Sequence, residues 1–221
     1  MIKIFVAHYS KLTDRKKHIL GQFEKHGIHE FEFIEGFDKD DITVENCRQF
    51  DPEYIMNRPS ELSLHLKHFY VYKMMVNEKI DEALIFEDDI ILSDGFMEKL
   101  TEYMRQLPSN YDMLFLGDGC LLHIPSDQIV PGQYIYKKNV KIGEDGSGGA
   151  TRCTDSYIIH NRCAQKICDY ITNMKCNITL PIDWWLNIAA MDNNLDVYWC
   201  EPTIVTQGSH PNNGLFPCSL K

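Results

Sequence analysis

The stretch that decides the fold is Ala83–Leu92, ALIFEDDIIL, where the consecutive carboxylates Glu87, Asp88 and Asp89 stand between two runs of large apolar side chains. Ala83–Phe86 shows no polar alternation, the pattern of a parallel strand covered on both faces. Adjacent carboxylates repel one another unless a cation or hydrogen-bond donors compensate them. In an open α/β sheet, ligands bind beyond the carboxyl ends of the strands, which is where this triplet falls. Alternation puts Glu87 and Asp89 on one side of the chain and Asp88 on the other, and hard oxygen ligands suit Mg2+ or Mn2+. A solvated acidic turn is the competing reading. The apolar run Ile90–Leu92 directly after the triplet favours a site set into the core.

Working outward, Ile2–Ala7 reads as a buried strand, Arg15–His26 as the helix after it and Phe31–Ile34 as a short second strand. Asp38–Pro59 is polar, carries two prolines and keeps no period, so it is expected to be a surface excursion. Ser60 is a good N-cap for a helix to about Asn77, with Leu62, Leu66, Phe69, Tyr72 and Val76 on one face. Further on, the pattern predicts a helix from Asp94 to Leu107, closed by Pro108, and strands at Met113–Leu116 and Tyr134–Ile142. The glycine-rich Gly143–Thr151, GEDGSGGAT, lacks the Gly-Lys-Ser/Thr of a phosphate-binding loop, which leaves a lid or a simple turn open. A strand at Ser156–His160, helices at Arg162–Thr172 and Asp183–Met191, and strands at Val197–Cys200 and Thr203–Val205 complete the series. Strands alternating with helices indicate an α/β fold with a mixed, mainly parallel sheet.

A chain of 221 residues, 44% hydrophobic, is long enough for one sizeable core, and a single domain over residues 1–221 is expected. The net charge of −10 argues against nucleic acid, whose binders present a basic face. A phosphorylated ligand bridged by a divalent cation stays compatible with that acidity. The opening MIKIFVAHYSK is too short in apolar residues for a signal core or a membrane span, so the expectation is a soluble, cytoplasmic protein. None of the eight cysteines forms a CxxC pair, and reduced, packed thiols are expected. The sequon Asn177-Ile178-Thr179 is too short a pattern to weigh much without a secretory signal.

Several segments, in order, resemble glycosyltransferase family 25, the group of lipooligosaccharide sugar transferases and procollagen galactosyltransferases. VAHYSKLTDRKK is similar to its opening strand and Thr-Asp-Arg element, here Thr13, Asp14 and Arg15; SELSLHLKHFYVY resembles its Gly-Glu...Ser-His helix at Glu61 and His68. ALIFEDDIIL and DMLFLG look like its acidic strand and the strand after it. TDSYIIHNRCAQKI, PIDWWL and EPTIVTQGS resemble its later motifs. The chain departs from the pattern at His8 for an Asn, Ser60 for a Gly and Lys67 for a Ser. The resemblance implies a GT-A type, Rossmann-like fold, a UDP-sugar donor, Mn2+ or Mg2+, and inversion at the anomeric carbon. It assigns Asp89 as the first metal ligand, supported by Glu87 and Asp88, and places Asp14, Arg15, Glu61 and His68 with the donor.

An inverting transfer needs a general base on the acceptor hydroxyl, and Asp183, in the first turn of its helix, is the candidate. Trp184 and Trp185 beside it offer faces for an acceptor sugar; a dipole-favoured Asp and core tryptophans are the bland alternative. His210, after Gln207-Gly208-Ser209, could complete a metal shell. Glu61, His65, His68 and Tyr72 form one helical stripe, but HExxH is absent, which disfavours zinc. The chain is therefore expected to move a hexose, galactose or glucose, from a UDP-sugar to a glycan, glycoprotein or hydroxylated side-chain acceptor. The alternative is a non-catalytic nucleotide- or carbohydrate-binding module derived from such an enzyme.

Overall fold

The computed structural model describes residues 2–43, 47–119, 121–138, 152–210 and 213–217. The glycine-rich segment 143–151 and the end of the strand expected to reach Ile142 lie outside them, as do Pro211, Cys120 and Cys218.

The chain opens as expected with β1 (Lys3–Ala7), α1 (Thr13–Lys25) and β2 (Glu32–Ile34). The excursion that follows is less irregular than its composition suggests, because it contains α2 (Pro52–Asn57). Pro52 is the first helical residue rather than a breaker, and Asp51 caps the helix by accepting from the Glu53 and Tyr54 amides at 2.8 and 3.4 Å. Pro59 likewise starts α3 (Pro59–Glu78), one residue ahead of the Ser60 cap that the sequence suggests. Then come β3 (Glu82–Glu87), β4 (Ile90–Leu92), α4 (Phe96–Gln106), β5 (Met113–Phe115), β6 (Ile135–Lys137), β7 (Ser156–His160), α5 (Asn161–Asn173), α6 (Ile182–Asp192), β8 (Val197–Cys200) and β9 (Val205–Gln207).

The main sheet has the order β2-β1-β3-β7-β5-β8-β6. β2, β1, β3, β5 and β8 run one way, while β7, between β3 and β5, and β6, at the edge, run the other. The sheet is mixed and mainly parallel, as the alternation of elements predicts. Side chains of β3 divide by twos between its faces: Ala83 and Ile85 enter the core under α3, α5 and α6, and Leu84 and Phe86 the core under α1 and α4. That double covering explains why the strand reads as an unbroken apolar run.

The apolar run after the triplet has its own partner. β4 pairs antiparallel with β9, bringing Gln207 opposite Ile90. The last strand therefore lies two residues beyond the expected Thr203–Val205, because Ile204 is spent on Leu116 and Ser93 through backbone bonds outside that pair. The shift carries Gln207, Gly208 and Ser209 to the acidic triplet.

Candidate active site

β1 and β3 are parallel neighbours, with Ala7 level with Glu87, so the residues that follow them, His8–Tyr9 and Asp88–Asp89, emerge side by side. Together with the first turns of α3 and the Gln207–Ser209 segment they wall a cleft. The three carboxylates have different fates there. Asp88 is fully engaged: His8 Nδ1 lies 2.7 Å from one oxygen and donates to it, and Arg15 Nη1 donates to the other at 2.8 Å. Burial pulls the Asp88 carboxyl upward, but the His8 and Arg15 bonds outweigh it and hold the group below the usual carboxylate range.

Glu87 and Asp89 are compensated less. Burial, and then the charge of Asp89, push Glu87 well up; Thr154 Oγ1 donates to it at 2.8 Å. Burial also raises Asp89, against the pull of Arg15 at 3.4 Å and of the Ser209 hydroxyl, which donates to its Oδ2. Asp89 Oδ1 is buried with no partner. Asp155, just ahead of β7, adds a fourth acid that sequence reasoning missed. It is fully buried, its Oδ2 is also without a partner, and burial pushes it up to about 8. Gly117 is what admits it: a Cβ there would overlap the Asp155 carboxylate. The signal was present as the Asp of TDSY, but an Asp before a strand has no distinctive spacing.

Buried carboxylate oxygens without donors, in a cluster whose like charges raise one another, fit a hard divalent cation. Among the described residues no group of three His, Cys, Asp or Glu side chains is gathered as a cage. The donor set thus fits a cation held by one or two carboxylates, with its other positions left for water and phosphate oxygens. His210 stands in the turn after Ser209, its amide bonded to the Gln207 carbonyl, so it belongs to the segment that reaches Asp89.

A second compartment adjoins the first across Leu64, Glu87 and Gln207, which line both. It holds Asp183 and Glu61 together with Thr154. Burial, with the Glu61 charge adding to it, raises the Asp183 carboxyl, and the Trp184 amide donates to its Oδ1 at 2.9 Å. Glu61 is held by Arg58 at 2.7 Å and by the Tyr54 hydroxyl at 3.2 Å, so the unexpected helix α2 serves this wall.

The other residues expected at the site separate. Arg15 is buried against Asp88 and the Phe216 ring, while Asp14 is exposed on a neighbouring groove beside Lys17. Trp184 is 38% exposed next to Asp183, whereas Trp185 is 4% exposed and packs on Phe69 and His65 in the main core. The Trp185 ring therefore shows no face to solvent, because position 185 faces α3 and α5. His68 departs from the expectation in the same way: it is fully buried, it bonds the Tyr157 hydroxyl at 2.7 Å, and it lines neither compartment.

Comparison with known proteins gives a consistent picture. The family model for glycosyltransferase family 25 (LPS biosynthesis protein) matches residues 1–186. A protein of Acanthamoeba polyphaga mimivirus named as a glycosyltransferase is 25% identical, over 76% of this chain and 52% of its own length. The procollagen lysyl hydroxylase and glycosyltransferase of the same virus is 23% identical over 96% of this chain and 25% of its own length. Mouse procollagen galactosyltransferase 2 is 21% identical over 52% of this chain and 20% of its own. The chain thus spans about half or less of the length of these curated relatives. Among solved structures, a glycosyltransferase involved in glycosylation of the major capsid of PBCV-1 matches with a TM-score of 0.50 at 9% identity, covering 97% of each chain, a likeness of fold alone. Among the described residues no helix is long and apolar enough to cross a membrane.

Proposed function

The chain belongs to glycosyltransferase family 25, and on that premise we propose that it transfers a hexose, galactose or glucose, from a UDP-sugar to a hydroxyl of a glycan or a hydroxylated side chain, with inversion. One observation carries the reading: a cleft lined by Asp89, whose buried Oδ1 has no partner, opens through Leu64, Glu87 and Gln207 onto a second compartment that holds a carboxyl raised by burial. Donor and acceptor chemistry require such adjoining halves. UDP and the hexose rest on the family resemblance.

In this reading the diphosphate lies over Asp89, and Arg15 supplies a fixed positive charge beside it. A divalent cation held by Asp89, with Glu87 and His210 as candidate further ligands, would offset charge on the departing diphosphate. The acceptor hydroxyl lies in the second compartment. Asp183 takes its proton as the oxygen bonds to the anomeric carbon and the bond to the diphosphate breaks; its raised pKa brings it nearer the operating pH, where a general base works best. Asp88 acts by fixing Arg15 and His8 rather than by touching the donor. Trp184, the residue after Asp183, presents an exposed ring suited to the apolar face of an acceptor sugar.

The experiment is release of UDP from a panel of UDP-sugars with Mn2+, and then with EDTA, without acceptor. Release from one sugar, abolished by EDTA, is the expected result and names the donor. No release from any sugar, together with no Mn2+-dependent UDP binding, would leave the family and fold standing and move the chain to a non-catalytic role.

A further inference from the structure

One wall of the cleft contains a network around a buried lysine. Lys67, on α3, is 2% exposed, and its ammonium spends all three donors: on the carbonyls of Ile34 at 3.3 Å and Gly36 at 2.7 Å, and on Asp38 Oδ1 at 2.7 Å. No donor is left for a ligand. Asp38, 3% exposed, uses its other oxygen to accept from the Ser10 amide at 3.1 Å and the Ser10 hydroxyl at 2.5 Å. The chain of contacts runs from α3 through the loop after β2 to the turn after β1.

That turn matters to the cleft. Tyr9 precedes Ser10 and Leu12 follows it, and both line the pocket; the Leu12 amide closes the turn on the Tyr9 carbonyl at 2.9 Å. The loop after β2 contributes Lys39, which lies over the Tyr9 ring and donates to Ser60 on α3. α3 ties the same loop again through Ser63, whose hydroxyl donates to the Phe37 carbonyl at 2.7 Å. Three segments far apart in sequence thus form one wall, and the buried cation at their junction is Lys67.

Burying an ammonium and a carboxylate together carries a large desolvation cost and little net stability. A well-packed apolar pair at positions 38 and 67 would serve the fold as well, but it could not fix a backbone amide and a hydroxyl at Ser10. We propose that Lys67 is a positioning residue for the donor cleft, holding through Asp38 the Ser10 turn that sets Tyr9 and Leu12 in the wall. The inference deepens the proposed function and rests on it for the nature of the ligand.

The test pairs two readouts on wild type, Ser10→Ala, Lys67→Met and their double variant. Titration calorimetry with UDP in the presence of Mn2+ reads the cleft. Amide hydrogen exchange of the free proteins reads the wall. Ser10→Ala is expected to weaken UDP about threefold and Lys67→Met about tenfold or more, the size of loss that small displacements of a binding wall produce. The double variant should be no weaker than Lys67→Met, since both cut one relay. Exchange at residues 9–12 should quicken in each variant while that of β5 is unchanged. Wild-type UDP affinity in Lys67→Met, or unchanged exchange at residues 9–12, overturns the proposal. Should Lys67→Met fail to fold, Ser10→Ala and Lys67→Arg decide by the same two readouts, because Arg keeps the charge but its planar fork cannot meet these three acceptors. Absence of UDP binding in wild type would sink the donor reading instead, and the exchange data would still show whether Lys67 holds the turn.

Discussion

Helix α3 borders two regions that bury polar side chains, and the two handle charge in opposite ways. Along its N-terminal half lies the cleft, where Glu87 and Asp89 are raised by burial and by neighbouring carboxylates, and Asp89 Oδ1 lacks a donor. Under its middle lies the core, where burial lowers His65 and His68, the latter to about 3, so both rings are neutral. Both nitrogens of His65 are also without partners, yet its neighbours are the rings of Phe50, Phe69 and Trp185. An unpartnered polar atom is therefore no sign of function by itself. At Asp89, which lines the cleft, the missing partner can arrive from solvent; in the core nothing can reach it, and the imidazole serves as one more flat ring.

The sharpest way to break this comparison is to remove one charge from the cleft. Asp89→Asn should lower transfer by about 10^2–10^3-fold, the range for losing one group that stabilises developing charge. It should also leave the melting temperature unchanged or raised, because a buried, poorly compensated carboxylate opposes folding. Transfer assays and calorimetry on the same preparation check both halves; a destabilised Asp89→Asn would mean that the cleft is structural like the core. Asp183→Asn should cut turnover by about 10^2–10^4-fold, as loss of a general base does, and leave UDP affinity intact. Lost UDP binding would place Asp183 with the donor.

pH sharpens the comparison because the two regions titrate with opposite sign. His68 has a folded pKa below its unfolded value of about 6.5, so the unfolded chain binds the extra proton in the window between them. Its contribution to stability is complete above pH 6.5 and declines as pH falls toward 3. For Asp155 the folded pKa, about 8, lies above the unfolded value of about 3.9, so its contribution declines as pH rises between them. Each slope approaches 1.4 kcal/mol per pH unit. Urea unfolding in EDTA should show His68→Leu gaining on wild type as pH falls below 6.5, and Asp155→Asn gaining on wild type as pH rises from 4 to 8. Parallel curves for either variant would remove that residue from the account. At neutral pH, His68→Leu should cost about 1–3 kcal/mol, the penalty of stripping a partner from the buried Tyr157 hydroxyl, and should leave UDP binding unchanged.

The parts of this arrangement that the sequence shows are those with a local pattern. The acidic triplet after an unbroken apolar strand and the alternation of elements need only neighbouring residues to be read. Less legible are features whose cause is a distant partner. α2 was hidden because a proline as first helical residue and a proline as breaker look alike until Asp51 is seen capping. The register of β9 depends on β4, more than a hundred residues earlier. Asp155 and Lys67 gain their meaning from Gly117, Asp38 and Ser10, which no spacing links to them. The family resemblance places His68 with the donor, whereas its position on α3 turns it to Tyr157.

The two tryptophans of α6 carry the same comparison at its smallest scale. They are adjacent in sequence, so a helix turns them about 100° apart, and one enters the core while the other is exposed to solvent. Trp184→Ala removes a ring that is 38% exposed, so its effect on folding should stay within about 0.5 kcal/mol, as for surface positions generally. If the exposed ring stacks on the acceptor, the acceptor KM should rise about threefold to tenfold with turnover on saturating acceptor nearly unchanged, because the interaction would be made equally in ground and transition states. An unaltered KM would leave the acceptor to be held by Glu61 and the polar atoms of the compartment alone. A fall in turnover at saturation would instead show that the ring orients the hydroxyl toward Asp183, and would move Trp184 to the reacting centre.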